Sequence, residues 1–188
     1  MTVYFIDDDP LLLKAMTRLF LINNLNCKGF SSATAFLESI KVTYEPACII
    51  LDLRMPEMSG LELQNKLNEI MPHWPIIFLT GHSQVHIVVE AIKKGAIDFL
   101  EKPIDNHILL ETINTALTRS GSLIEFYQER HKLTKRECVI ADWLAFGFSS
   151  KEIAIELNLA IKTVEYHRAN IKSKIDLSLF KKNLKLIS

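Results

Sequence analysis

The sequence is poor in cysteine, lacks a glycine-rich nucleotide loop and has no apolar run long enough to span a bilayer. Its three cysteines, Cys27, Cys48 and Cys138, stand far apart among apolar residues with no Cys-x-x-Cys pair. That argues against a thiolate metal site and for buried free thiols in a reducing cytoplasm. Residues 1–6 carry no basic segment, and Asp7, Asp8 and Asp9 interrupt the first apolar run, so no secretory signal is expected. An excess of either charge is missing too, since 22 Lys+Arg balance 22 Asp+Glu. Internal repeats and low-complexity tracts are absent.

The neutral total conceals an asymmetry. Residues 1–120 hold 10 Lys+Arg against 14 Asp+Glu, a balance of −4, and residues 121–188 hold 12 against 8, a balance of +4. Two modules with different partners are implied, the second suited to nucleic acid. The first part alternates short apolar runs (3–6, 26–30, 47–53, 75–79, 96–100) with amphipathic stretches (11–22, a helix to about 40, 61–70, 85–94, 106–117). Asp9 and Ser31 or Ser32 supply helix caps, and Gly95 supplies a stop. Five strands alternating with five helices predict a parallel α/β sheet of flavodoxin-like (βα)5 type, strand order 2-1-3-4-5, over residues 1–120. Residues 121–132, polar around Gly121, are expected to be a linker, and 133–188 an all-α domain. Thr134 would cap a helix over 135–146, and Ser149 or Ser150 one to about 157. A longer helix over 161–174 and a last amphipathic segment with Leu177, Phe180, Leu184 and Ile187 would follow.

Parallel strands carry their carboxyl ends to one edge. Strand 1 delivers Asp7 and Asp8 there, strand 3 Asp52, strand 4 Thr80 and strand 5 Lys102. Carboxylates so crowded repel one another unless a cation joins them, and an oxygen-only site suits Mg²⁺. A carboxylate can act as a nucleophile and form an aspartyl phosphate, and Lys102 would neutralise phosphoryl charge moving in line towards Asp52. Thr80 can donate its hydroxyl to the phosphoryl oxygens afterwards. Each of these residues alone is more often a turn, cap or surface residue; their convergence at four strand ends is what carries the reading.

Asp7-Asp8-Asp9-Pro10, Leu51-Asp52-Leu53-Arg54-Met55-Pro56, Leu79-Thr80-Gly81-His82 and Phe99-Leu100-Glu101-Lys102-Pro103 resemble the signature of response-regulator receiver domains of the FixJ/NarL type. The resemblance implies that Asp52 is the phosphoacceptor, Asp8 the direct Mg²⁺ ligand, Asp7 a ligand through water and Arg54 a ligand through its backbone carbonyl. It implies that Thr80 and Lys102 sense the phosphoryl group, that Lys102-Pro103 is cis, and that Phe99 turns inward as the loop after strand 4 follows Thr80. The apolar residues of 85–92 and 104–110 would then form a dimer interface on phosphorylation, or else belong to the core.

In the second part, a short helix, a tight turn and a longer helix make a helix-turn-helix pattern. Ile153, Ala154 and Leu157 would bury one face of the first helix, and Ile161, Val164, Ile171 and Ile175 one face of the second. Lys162, Thr163, Glu165, Tyr166, Ala169 and Lys172 would be left outward. The pattern alone also fits an unrelated helical interaction domain. The wording Leu133-Thr134, Arg136-Glu137, Gly147, Ser150-Lys151-Glu152-Ile153-Ala154 and Lys162-Thr163-Val164-Glu165-Tyr166-His167-Arg168-Ala169-Asn170-Ile171 resembles the LuxR-type DNA-binding domain. That resemblance implies that Glu165, Tyr166 and Ala169 face base edges, while Lys162, Thr163, His167 and Lys172 lie near the backbone. Ala160 stands where the family usually has a capping serine, so weaker or more dimer-dependent DNA binding is expected. The last helix either pairs two DNA-binding domains or closes its own core.

The expected function is a transcription regulator switched by a sensor histidine kinase, with double-stranded DNA and a second copy as partners, RNA polymerase a further one, and no membrane. An aspartate-nucleophile phosphatase is disfavoured because Arg54 stands where a second acid is needed; no phosphoacceptor-helix histidine supports a kinase. A DNA-binding regulator whose receiver is controlled by partners without phosphorylation stays open as the alternative.

Overall fold

The computed structural model describes residues 1–81 and 85–185, arranged as two compact units, Met1–Gly121 and Ser122–Ser188. His82 of the Thr-Gly-His turn and Ile187 of the last amphipathic segment fall outside the described residues.

The first unit holds β1 (Thr2–Ile6), α1 (Pro10–Ile22), β2 (Asn26–Phe30), α2 (Ala33–Ser39), β3 (Ala47–Leu51), α3 (Gly60–Ile70), β4 (Ile76–Thr80), α4 (Val85–Lys93) and β5 (Asp98–Glu101), with the first turns of α5 (Asn106–His131). All pairings are parallel, in the order β2-β1-β3-β4-β5. β3 and β4 are buried along their whole length, as near-continuous apolar runs between two helical layers must be. One layer packs Ile49, Leu51 and Phe78 against α2 and α3, and the other packs Phe5, Ile50 and Ile77 against α1 and α5. Asp9 caps α1 through Leu11 and Leu12 N–H, and Ser59 with Glu62 forms a reciprocal capping box on α3.

The second unit contains the last turns of α5, then α6 (Lys135–Ala145), α7 (Ser150–Glu156), α8 (Ile161–Lys174) and α9 (Leu177–Leu184). Thr134 and Ser149 each start a helix with a capping box. Ile140, Ile153, Val164, Ile171 and Phe180 are fully buried and form the core.

Two expectations need correction. The fifth helix does not end at 117 but runs to His131, so the segment expected as a linker is helical through that residue. Gly121 does fall where the two units divide, but it does not stop the helix: a glycine costs a helix only about 1 kcal/mol, which apolar burial at Leu123, Ile124 and Phe126 offsets. Phe126 belongs to the core of the second unit, its ring 4.8 Å from that of Phe180, and Arg130 makes a two-pronged ion pair with Asp142 of α6. Ile161, expected to be buried, is 45% exposed. The three cysteines are free thiols as expected, though only Cys48 is fully buried.

Candidate functional site

The ends of β1, β3, β4 and β5 place the acidic pocket. Asp7 N–H donates to Phe30 O across β1–β2 and Asp52 N–H to Ile6 O across β3–β1, so the sheet ladder itself sets both carboxylates side by side. Lys102, one residue beyond β5, donates its backbone N–H to Thr80 O at 2.8 Å and follows the β4 end. Its Nζ lies 2.6 Å from Asp7 Oδ2 and 2.8 Å from Asp52 Oδ1, joining groups 95 and 50 residues apart in sequence. The second oxygen of Asp52 accepts the Arg54 backbone N–H at 2.7 Å, and that of Asp7 accepts the Asp9 N–H at 3.0 Å. Both carboxylates are buried, Asp52 with 6% exposure, and Thr80 is buried beside them. Asp8 is exposed, and so is the side chain of Arg54. The Lys102-Pro103 bond is cis.

Burial pushes the Asp7 carboxyl above the usual carboxylate range, and the Lys102 hydrogen bond only partly offsets it. Burial pulls the Lys102 ammonium down, but hydrogen bonds to Asp52 and Asp7 together outweigh it, so the lysine is held charged. Two buried carboxylates share one ammonium, which leaves net negative charge on an oxygen-only donor set. That chemistry fits a hard divalent ion. Among the described residues no three His, Cys, Asp or Glu side chains are close-set enough to hold a metal, and the Lys102 ammonium contacts both Asp7 and Asp52.

Two neighbours shape this site. Phe99, half-buried on β5, packs its ring 5.9 Å from that of Phe78. Gly60, which directly precedes the stretch 61–70 expected as helical, begins α3 against the Asp52 backbone; a Cβ there would lie 2.9 Å from Phe78 Cε1 and 3.1 Å from Leu53 Cα. Only the Ser-Gly step before the helix hinted at such a close approach.

The second candidate surface is the outer side of α8. Lys162, Thr163, Glu165, Tyr166, Ala169 and Lys172 are all exposed, Tyr166 at 66%. His167 differs. It is half-buried, with Nδ1 enclosed and without a hydrogen-bond partner among the described residues, because it lies three residues after Val164 and four before Ile171 on the core side. Arg168 donates to Ser150 Oγ at 3.2 Å and joins α8 to α7. Ala160 starts α8 without a side-chain cap. In α9, Phe180 and Asn183 are buried while Lys181 and Lys182 face outward, the arrangement of a helix closing its own core.

No described helix is long and apolar enough to cross a membrane. Residues 3–114 match the family described as response regulator receiver domain, and residues 131–178 match bacterial regulatory proteins of the luxR family. The response regulator protein TmoT of Ectopseudomonas mendocina is 41% identical over 183 residues, which cover 94% of this chain and 83% of that protein. The transcriptional regulatory protein FixJ of Azorhizobium caulinodans is 36% identical over 92% of this chain and 85% of that protein. Among solved structures, the response regulator StyR matches with a TM-score of 0.61 and 33% identity, covering 98% of each chain. Full-length FixJ of B. japonicum matches with a TM-score of 0.57 and 29% identity over 98% of this chain and 96% of that one.

Proposed function

The chain belongs to the two-component response regulators that join a receiver domain to a LuxR-type DNA-binding domain, and from that premise we propose that Asp52 is the residue a sensor histidine kinase phosphorylates to switch its binding to promoter DNA. The single observation that carries the assignment is the Lys102 ammonium held between Asp7 and Asp52. Asp52 is the carboxylate that directly follows the central strand β3, and one of its oxygens already accepts a hydrogen bond from the backbone N–H of Arg54.

Asp7, Asp8, Asp52 and the Arg54 carbonyl would hold Mg²⁺, whose charge would offset that of the incoming phosphoryl oxygens. The remaining work falls to the chain. An Asp52 oxygen attacks phosphorus as the bond to the donor breaks, and the aspartyl phosphate forms. Lys102 then turns its ammonium to a phosphoryl oxygen, a charge-assisted contact that replaces the one it made to the carboxylate. Thr80, at the end of β4, donates its hydroxyl to another, and the backbone bond between Lys102 and Thr80 moves the β4 and β5 ends together.

The α4 surface supports a dimer as the output of that movement. Val85 is 80% exposed, and Val89, Ile92 and Ile108 of α5 are exposed as well, while Ala91 and Leu109 serve the core. Phe99, whose ring packs on that of Phe78, would turn inward as the β4 end follows Thr80. Two copies would then present two α8 helices to successive major-groove segments of one promoter, where RNA polymerase is a further partner, in the cytoplasm. The +4 balance of residues 121–188 supports phosphate-backbone contact.

The test is intact mass after incubation with acetyl phosphate and Mg²⁺. The parent protein gains one phosphoryl group and Asp52→Asn gains none. No gain on the parent would favour a regulator controlled by protein partners alone.

A further inference from the structure

We propose that Ile161 reads DNA sequence by apolar contact with the C5-methyl group of a thymine in the major groove. The inference rests on α8 being the recognition helix.

Hydrophobic spacing assigns Ile161 to the core with Val164 and Ile171, yet the structure buries those two completely and leaves Ile161 45% exposed. It is the first residue of α8, and recognition helices of this kind meet base edges with their N-terminal residues. Ile161 precedes Glu165 by four residues, Ala169 by eight and Lys172 by eleven, so all four side chains lie on one side of the helix, and all four are exposed. The isoleucine thus continues, at its leading end, the surface that carries the polar DNA contacts. A single exposed apolar residue is ordinary on a protein surface; its place in this row is what singles Ile161 out.

Chemistry narrows what it can touch. An isoleucine side chain neither donates nor accepts a hydrogen bond, and its exposed neighbour Ala160 supplies no side-chain cap or polar group. Neither can grip a phosphate through its side chain. Among base edges in the major groove, the apolar feature is the thymine methyl group. A β-branched side chain in a helix is held in essentially one χ1 well, so Ile161 presents its methyl groups with little rotamer freedom left to lose. The site therefore selects a 5-methylpyrimidine at one position of each half-site.

The experiment uses the full-length protein and operators selected from a random DNA pool. Each thymine is replaced singly by deoxyuridine, which removes the methyl group and keeps every hydrogen-bonding group. The expected result is one position per half-site where the parent loses about fourfold in affinity, the worth of one buried methyl group. Ile161→Ala binds the thymine operator as weakly as the parent binds the uracil one and shows no further loss on uracil. Ile161→Val keeps the sensitivity, and the melting temperature of each variant stays at the parent value, because the side chain is outside the core. Uracil sensitivity that is the same in the parent and in Ile161→Ala would overturn the inference while leaving α8 as the recognition helix. Failure to select any operator would overturn that reading of α8, and this inference with it.

Discussion

Gly60 lies against the backbone of Asp52 so closely that no side chain fits between them. A Cβ at this position would fall inside van der Waals contact with the Asp52 carbonyl oxygen and 2.9 Å from Phe78 Cε1. The Gly60 N–H also donates to Leu53 O at 3.0 Å, which closes the loop after β3 onto the start of α3. Gly60→Ala must therefore push the Asp52 strand end or the Phe78 ring aside. The expected cost is about 1–3 kcal/mol of stability, the usual range for overpacking, together with slower phosphoryl uptake from acetyl phosphate. Urea unfolding and a time course of intact mass measure the two effects separately.

Lys102 occupies oxygens of Asp7 and Asp52 that a divalent cation would also use. Replacing it with methionine, which keeps most of the volume, removes the competitor and leaves two buried carboxylates facing one another. Mg²⁺ binding to Lys102→Met is expected to tighten by about tenfold, as read by titration calorimetry. Chelating the metal should then destabilise the variant more than the parent. Equal Mg²⁺ affinities would show that the ammonium does not occupy the cation's place.

In the second unit, Glu137 of α6 holds Lys174 of α8 through both carboxylate oxygens, at 2.8 and 2.7 Å, and accepts the Thr134 N–H as well. Lys174 first, then the Thr134 N–H, pulls the Glu137 carboxyl from the ordinary 4.5 down to about 2. Because the folded carboxyl is depressed, its stabilising contribution is complete above pH 4.5 and is lost as pH falls towards 2. Glu137→Gln should remove that part of the acid dependence in residues 122–188. At neutral pH it should cost about 1–2 kcal/mol, modest because Lys174 stays in contact with water. Thermal melts between pH 2 and pH 7 decide the matter.

The end of α5 belongs energetically to the DNA-binding unit. Phe126 is 2% exposed and packs on Phe180, and Arg130 pairs with Asp142. Phe126→Ala should cost about 3–5 kcal/mol, as truncating a buried aromatic generally does. A fragment of residues 122–188 should melt cooperatively, whereas one that begins at residue 133 should be much less stable.

Much of this architecture was legible in the sequence because it rests on period and punctuation. The buried runs of β3 and β4, the cap at Asp9 and the αL stops at Gly95 and Gly147 follow from local chemistry. Thr134 was legible as a cap for the same reason. So was the meeting of Asp7, Asp52 and Lys102, since parallel strand order leaves few other places for those residues. The features that escaped are set by tertiary neighbours. Gly121 reads as a boundary and does fall where the two units divide, yet α5 continues through it, and a Cβ there would meet nothing within 4 Å. Gly60 reads as a helix start, and only the folded loop brings Asp52 against it. Ile161 fits the core period, but helix packing buries Val164 and Ile171 and stops short of the first turn. His167, read as a backbone contact, turns partly inward because it falls between those same two core residues.

The coupling between the two sites is tested most directly by operator affinity, measured by fluorescence anisotropy at fixed salt with and without acetyl phosphate and Mg²⁺. The parent protein should bind more tightly once phosphorylated, and Asp52→Asn should show one affinity under both conditions. The same tightening in both proteins, or in neither, would contradict control of DNA binding through Asp52.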